Sequence, residues 1–186
     1  MILKKIANAL LKVSGWEVVG EVPDIDKAVY VAAPHTSNCD GFWLLVGKTV
    51  LGLEARFLVK HTLYWWPLGP ILNWFGAIPV DRSGGSGVVQ ELIDLFEDSD
   101  RLNLALAPEG TRKWTQYWKT GFYSIAVKAD VPLVLGFIDY GAKKMGIGGV
   151  FKPTGDVQKD LKFLRDFYRP YVPRHPRNKG PIAFPP

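Results

Sequence analysis

Short β-rich segments alternate with amphipathic helical patterns along most of this 186-residue chain. Apolar residues recur at helical spacing over residues 88–96 and 157–168, and the segments between such patterns are short and aliphatic. This alternation is typical of an α/β fold with a mainly parallel or mixed sheet flanked by helices, in which ligands bind at the carboxyl ends of the strands. The predicted strands are residues 28–33, 56–59, 77–80, 102–107 and 131–138.

The amino terminus predicts an amphipathic helix over residues 1–14. Ile2, Ile6, Leu10 and Val13 form one apolar stripe, and lysines occupy other positions on the helix. Such a helix can lie on an anionic membrane, or it can bury its stripe against the rest of the domain. The sequence leaves both uses open.

The length and the charge of the chain limit its organisation more than its function. The chain has the length of one domain, and no linker divides it, so we expect a single domain over residues 1–186. The formal charge of +5 favours anionic partners, which include lipid headgroups, phosphorylated substrates, acidic carrier proteins and nucleic acids. The lone cysteine, Cys39, excludes an internal disulfide and indicates a reducing, cytoplasmic setting. No signal peptide is predicted, since the early apolar runs are short and broken by Lys12.

Two further segments have an unusual composition. Residues 62–80 lack charged side chains, but prolines and glycines interrupt them, so a transmembrane helix is not expected there. Their tryptophans suit an apolar surface at a boundary between water and lipid, and a helix pair in the core is the alternative. Residues 169–186 form a basic, proline-rich tail, for which we expect no regular structure and either solvation or attraction to a membrane.

The first polar cluster follows the strand at residues 28–33. His35 begins a Thr-Ser-Asn run that can cap a following helix, and Asp40 lies about one turn further on, where it can reach back to His35. A carboxylate on one ring nitrogen leaves the other nitrogen free to accept a proton from a hydroxyl, which describes a general base without a nucleophile. A purely structural histidine–aspartate pair has the same spacing.

Two more clusters follow later strands. Arg82 and Asp81 come after residues 77–80 and precede a turn rich in serine and glycine, an arrangement that suits a phosphate or a surface ion pair. After residues 102–107, Glu109 can bind glycerol hydroxyls, Gly110 lets backbone amides approach a ligand, and Arg112 adds positive charge for a phosphate. A turn with solvated charges would look similar.

Together these clusters resemble a known family. His-x4-Asp at 35–40, Gly-x4-Asp-Arg at 76–82, Pro-Glu-Gly-Thr-Arg at 108–112 and Val-Pro-Leu at 131–133 resemble, in order, the four motif blocks of the glycerolipid acyltransferases, which include 1-acylglycerol-3-phosphate acyltransferases. The set is far more specific than any one block. Lys60, with Pro67 and Gly69, is similar to the family's link between the first two blocks.

The resemblance implies specific roles. His35 would be the general base and Asp40 its orienting partner, with nearby backbone amides stabilising the oxyanion. The residues that the resemblance associates with substrate are Lys60, Arg82, Glu109, Gly110, Thr111 and Arg112. The donor would be acyl-CoA or acyl-carrier protein, with no cofactor or metal, and the acceptor a lysophospholipid or glycerol phosphate such as 1-acylglycerol-3-phosphate. We expect a cytoplasmic protein in peripheral contact with the cytoplasmic face of an anionic membrane, and no nucleic-acid partner.

Three other functions stay open at this point. Relatives in the family acylate lyso-ornithine lipids or glycolipids, so the acceptor can differ. The same dyad could activate water in a thioesterase or lipid hydrolase. A non-catalytic module could bind lipid or single-stranded nucleic acid through basic and aromatic side chains, but its basic residues should then form one stripe, whereas here they cluster near strand ends and in the tail.

Overall fold

The computed structural model describes residues 2–81 and 86–186, with Ser86 described by its backbone only. Within these ranges the α-helices are α1 Ile2–Ser14, α2 Asn38–Leu51, α3 Leu68–Trp74, α4 Ser86–Asp98, α5 Gly121–Lys128 and α6 Val157–Tyr168. The strands are β1 Glu17–Val19, β2 Lys27–Ala33, β3 Arg56–Lys60, β4 Ala77–Val80, β5 Leu102–Leu106, β6 Leu133–Asp139 and β7 Lys144–Phe151. Two short 3-10 turns span His61–Leu63 and Pro176–Asn178.

The strands form one mixed sheet in the order β1-β7-β6-β2-β5-β3-β4. From β6 to β4 every neighbouring pair is parallel, whereas β7 runs antiparallel to β6 and parallel to β1. The predicted α/β fold with its mixed sheet and flanking helices is therefore confirmed. Because β2, β3, β4, β5 and β6 share one direction, the loops that follow them meet at one edge of the sheet.

Both faces of the sheet are covered by helices. Alternate residues of β2 point to opposite faces, so Val29 and Val31 join a large core with α4, α5 and α6. On the other face, Ile138 and Met145 pack with the buried residues of α1 and α2. This two-sided burial explains why the central strands are almost continuously apolar, as is usual for parallel sheets.

The first helix packs on the domain through a face other than the predicted stripe. Ala7 and Leu11 are buried, whereas Ile2, Ile6, Leu10 and Val13 are all exposed. The alternative in which the stripe is buried against the domain is therefore wrong. The exposed stripe can contact a surface outside the domain.

Residues 62–80 form an irregular surface rather than a core helix pair. Trp65, Trp66 and Trp74 are exposed, and Trp66 keeps 84% of its surface accessible. Short helical turns precede β4 in this segment. Among the described residues, no helix combines the length and apolar character that crossing a bilayer requires.

The basic tail is packed on the domain, and the expectation of a solvated tail is wrong. Tyr171 stacks on Phe137 with ring centroids 4.2 Å apart, and Ile182 is buried. The amide of Trp118 donates to the carbonyl of Ala183 at 2.8 Å. The tail therefore lies along the helices that cover the larger core.

We expect the burial pattern of α6 to decide its mutational sensitivity. Leu164→Ala should lower the free energy of unfolding by about 2–5 kcal/mol, because Leu164 is fully buried and its truncation leaves a cavity. Val157 shares the helical stripe but is exposed at the start of α6, so Val157→Ala should change it by less than about 0.5 kcal/mol. Urea unfolding of the two variants measures both values, and equal losses would contradict the described packing.

Candidate active site

The turn between β2 and α2 brings His35 and Asp40 together. Ser37 is the N-cap of α2, and its side chain accepts a hydrogen bond from the amide of Cys39. Asp40 is the third residue of the helix and returns the capping interaction, so its carboxylate points back into the turn. His35 Nδ1 lies 3.3 Å from Asp40 Oδ2. This distance suits an ion pair, although the two groups are not aligned as in a strong hydrogen bond.

Asp40 is a buried carboxylate with several donors. Its Oδ2 accepts the amides of Thr36 and Ser37, each at 2.7 Å, and its Oδ1 accepts the hydroxyl of Tyr140 at 2.7 Å. Burial by itself would raise the pKa of Asp40, but the interactions with His35, Tyr140 and the two amides outweigh it and hold the pKa below its usual range. Asp40 is therefore ionised at neutral pH.

Tyr140 completes the surroundings of Asp40, and the sequence reasoning missed it. It follows β6 directly, at the same sheet edge as His35. Burial and the neighbouring Asp40 carboxylate raise the pKa of the Tyr140 hydroxyl, so it stays a donor at neutral pH. Its place one residue beyond the strand that neighbours β2 is the signal that could have found it.

Glu109 touches the same turn from the loop after β5. Its Oε1 accepts the backbone amide of His35 at 2.9 Å, while its Oε2 has no hydrogen-bond partner in the described part of the chain. Glu109 is buried, and burial raises its pKa to about 7 in spite of the His35 amide. It lines a cavity of about 10 Å³, room for roughly one water, that Lys179 and Tyr168 also line.

Gly110, Thr111 and Arg112 continue this loop. Gly110 has a φ of +64°, and a Cβ there would lie 2.9 Å from Lys119 Cγ, so both the backbone and the space favour glycine. The Thr111 hydroxyl accepts the amide of Lys113 at 3.2 Å. Arg112 is exposed, and within the residues that the structure describes its guanidinium has no ion-pair partner.

The remaining predicted residues lie apart from the dyad. Lys60 ends β3, which β5 separates from β2, and its side chain is exposed at the shared edge. Arg82 lies outside the described residues. Its neighbour Asp81 has Oδ1 3.9 Å from His61 Nδ1. The structure thus joins His35, Asp40 and Glu109 directly and places Lys60 two strands away.

The backbone amides of His35, Thr36 and Ser37 already donate hydrogen bonds and are not available to an oxyanion. Those of Thr36 and Ser37 donate to Asp40, and that of His35 donates to Glu109. Each amide has one hydrogen and is therefore already used.

The tail forms hydrogen bonds with two of the loops around this site. The amide of His175 donates to the hydroxyl oxygen of Thr36 at 3.2 Å, and the Asn178 side chain donates to the carbonyl of Arg112 at 3.0 Å. These contacts place the basic residues 174–179 beside the site, where Arg174 and Arg177 remain exposed. No sequence pattern indicates these contacts, because they depend on how the chain returns after α6.

Comparisons with known proteins identify the family and a similar fold. A sequence model of the family described as Acyltransferase matches residues 11–135. No protein with a curated description matches the chain in sequence. The fold is similar to the crystal structure of the 1-acyl-sn-glycerophosphate (LPA) acyltransferase, PlsC, from Thermotoga maritima, with a TM-score of 0.62 and 18% identity over 90% of this chain and 75% of that chain.

Glu109 predicts a measurable pH dependence of stability. Its pKa rises from 4.5 to about 7 on folding, so its neutral form favours the folded state at low pH, and this stability is lost as the pH rises towards and past 7. Glu109→Gln keeps the shape and an acceptor for the His35 amide without ionising. Its stability relative to the native protein should therefore grow by about 2 kcal/mol between pH 5 and pH 8. Urea unfolding at both pH values measures this change, and a constant difference would show that Glu109 does not titrate as described.

Proposed function

The chain belongs to the acyltransferase family, and we propose that it transfers a fatty acyl group from acyl-CoA or acyl-carrier protein to the hydroxyl of a lysophospholipid or glycerol phosphate, with 1-acylglycerol-3-phosphate as the preferred acceptor. Family membership rests on the match over residues 11–135, which confirms the resemblance carried by the four motif blocks. The observation that carries the proposed mechanism is the contact between His35 and the buried, ionised Asp40 at the common edge of the sheet.

His35 acts as the general base in this proposal. Asp40 faces Nδ1, so the ring presents Nε2 to the acceptor, and the His35 side chain keeps 20% of its surface accessible. Nε2 takes the proton of the acceptor hydroxyl while its oxygen bonds to the thioester carbon. The carbon–sulfur bond then breaks, and the proton passes from His35 to the leaving thiolate. No acyl-enzyme forms, so Cys39 has no role as a nucleophile.

The loop after β5 supplies the positive charge for the acceptor. Arg112 is exposed and available for a bidentate contact with a phosphate, and Lys113 adjoins it. Arg82 adds a second guanidinium by resemblance to the second motif block. Since the amides of His35, Thr36 and Ser37 are already used, these cations also stabilise the oxyanion in this proposal. A phosphate-bearing acceptor fits this charge better than a neutral glycolipid.

The exposed apolar side chains support peripheral contact with an anionic membrane as part of this proposal. We define the apolar flank as the stripe Ile2, Ile6, Leu10 and Val13 together with Trp65, Trp66, Ile71 and Trp74, all of which are exposed. Helix α2 contacts both parts of the apolar flank. Trp43 of α2 stacks on Trp16, which follows α1, and Lys48 of α2 donates to the carbonyl of Phe75, which follows α3. Lysines 4, 5 and 12 adjoin the stripe, so the flank suits anionic headgroups on the cytoplasmic face.

The direct test of activity combines thiol release with analysis of the lipid product. Purified protein given acyl-CoA and 1-acylglycerol-3-phosphate should form a new lipid ester, and His35→Ala should reduce its rate by at least about 100-fold, because the general base is lost. His61→Ala is the matched control, since His61 is exposed and paired with Asp81, and it should keep near-native rates.

Omitting the acceptor separates transfer from hydrolysis. Equal thiol release with and without acceptor, accompanied by free fatty acid, would replace the transferase with a thioesterase. Lyso-ornithine lipid and a glycolipid, each tried with acyl-CoA and acyl-carrier protein, test the acceptor and the donor. Faster turnover of a neutral acceptor would contradict the preference for a phosphate.

The membrane proposal predicts a specific loss of vesicle binding. Ile6→Glu combined with Leu10→Glu should lower the affinity for anionic vesicles, measured by sedimentation, by about tenfold or more. The reason is that binding no longer transfers these two apolar side chains from water to the membrane. Substitution is better than deletion of the helix, since Ala7 and Leu11 belong to the core.

Val127→Glu combined with Val150→Glu provides the matched control. Both valines are exposed but lie outside the apolar flank, so this variant should bind vesicles like the native protein. Equal binding by all three proteins would exclude the stripe as the membrane contact.

A further inference from the structure

We infer that Tyr140 is a positioning residue of the active site, which holds the Asp40 carboxylate towards His35 through a hydrogen bond and is itself held by the carboxyl-terminal segment. The inference rests on the proposed role of His35 as the base. Tyr140 lies outside the four motif blocks and beyond residues 11–135, so neither the resemblance nor the family match assigns it a role.

The hydrogen bond from Tyr140 occupies the side of Asp40 that His35 does not reach. Asp40 Oδ2 receives two amides and faces His35 Nδ1, while Oδ1 accepts the Tyr140 hydroxyl at 2.7 Å. The Asp40 side chain has no accessible surface, so no solvent can replace a missing donor without rearrangement. Tyr140 therefore acts with the two amides to hold the plane of the carboxylate, because it supplies the donor on the oxygen that the amides do not reach.

Tyr140 is held on several sides. Its backbone amide donates to the carbonyl of Val172 at 2.8 Å, and its ring meets Trp16 edge-on at 4.9 Å. The guanidinium carbon of Arg174 lies 5.9 Å from the ring centroid. Two of these contacts come from the segment after α6, so that segment reaches the dyad through Tyr140.

The charge balance around Asp40 gives this contact a chemical role. The charged or titratable groups around Asp40 are His35 and Glu109 from the loops after β2 and β5, Tyr140 after β6, and Arg174 beyond Tyr140. When His35 takes a proton, Asp40 must stay ionised to stabilise the imidazolium. A hydroxyl donor favours the ionised carboxylate, and this effect differs from mere packing.

Tyr140→Phe tests the inference because it removes only the hydroxyl and keeps the ring contacts. We expect kcat to fall about tenfold, the size of a lost hydrogen bond to a charged group, with little change in the KM for the acceptor. The pKa of Asp40 should rise in the variant, because Asp40 loses a donor that lowers it. Carbon-13 NMR of the aspartate carboxyl groups should show Asp40 titrating at higher pH in the variant than in the native protein, with Asp40→Asn identifying the signal.

Tyr123→Phe is the matched control. The Tyr123 hydroxyl also donates to a buried carboxylate, Asp160, at 2.8 Å, but that pair lies at the start of α6. The Tyr123→Phe variant should be less stable than the native protein, but its kcat and the titration of Asp40 should be unchanged. An unchanged kcat and an unchanged Asp40 titration in Tyr140→Phe would overturn the inference, as would equal effects of the two variants on kcat.

The design separates this inference from the proposed function. If no acceptor supports His35-dependent turnover, the proposed function is wrong. The NMR titration would still decide whether Tyr140 lowers the pKa of Asp40. Turnover that depends on His35 but ignores Tyr140, together with an unmoved titration, would leave the function standing and remove only the positioning role.

Discussion

A fully buried negative charge on Asp40 is the constraint on which the rest of the site depends. A carboxylate without accessible surface is stable only when donors surround it, and here they come from the turn before α2 and from Tyr140 after β6. Each donor fixes a different part of the chain relative to Asp40. The charge therefore stabilises the assembled site only when the sheet brings these loops together, so the chemistry of the site depends on the fold.

The mixed sheet makes that assembly possible. Five strands share one direction, so residues far apart in sequence reach one edge, and Glu109 meets the His35 amide across 74 positions. Reversal of β7 returns the chain to the opposite edge and lets α6 and the tail close over the larger core. The tail then contacts the loops at Thr36 and Arg112. Long-range pairing, rather than any local motif, brings these residues together.

The sequence predicted what depends on local pattern and missed what depends on long-range packing. The limits of β4 and α6 follow from periodicity, and Asp40 reached His35 because one helical turn fixes their separation. β7 was missed because its glycines weaken the strand pattern. For α1, the helical periodicity identified the apolar stripe but not its exposure, since the helix packs on the domain through a different face that contains Ala7 and Leu11. Tyr140 and the tail contacts needed the sheet order, which no single segment encodes.

The two carboxyl groups of the site illustrate how burial and donors act in opposite directions. Both are buried, yet the pKa of Asp40 is lowered while that of Glu109 is raised to about 7. The difference lies in the donors, because Asp40 receives two amides and a hydroxyl whereas Glu109 receives one amide and keeps one oxygen without a partner among the described residues. A second full charge beside the dyad would strengthen the field on His35 and oppose the approach of an anionic acceptor. Because Glu109, with a pKa of about 7, is only partly ionised at neutral pH, Asp40 is the principal negative charge at the base, and a phosphate on the acceptor then meets mainly the cations of the loop after β5.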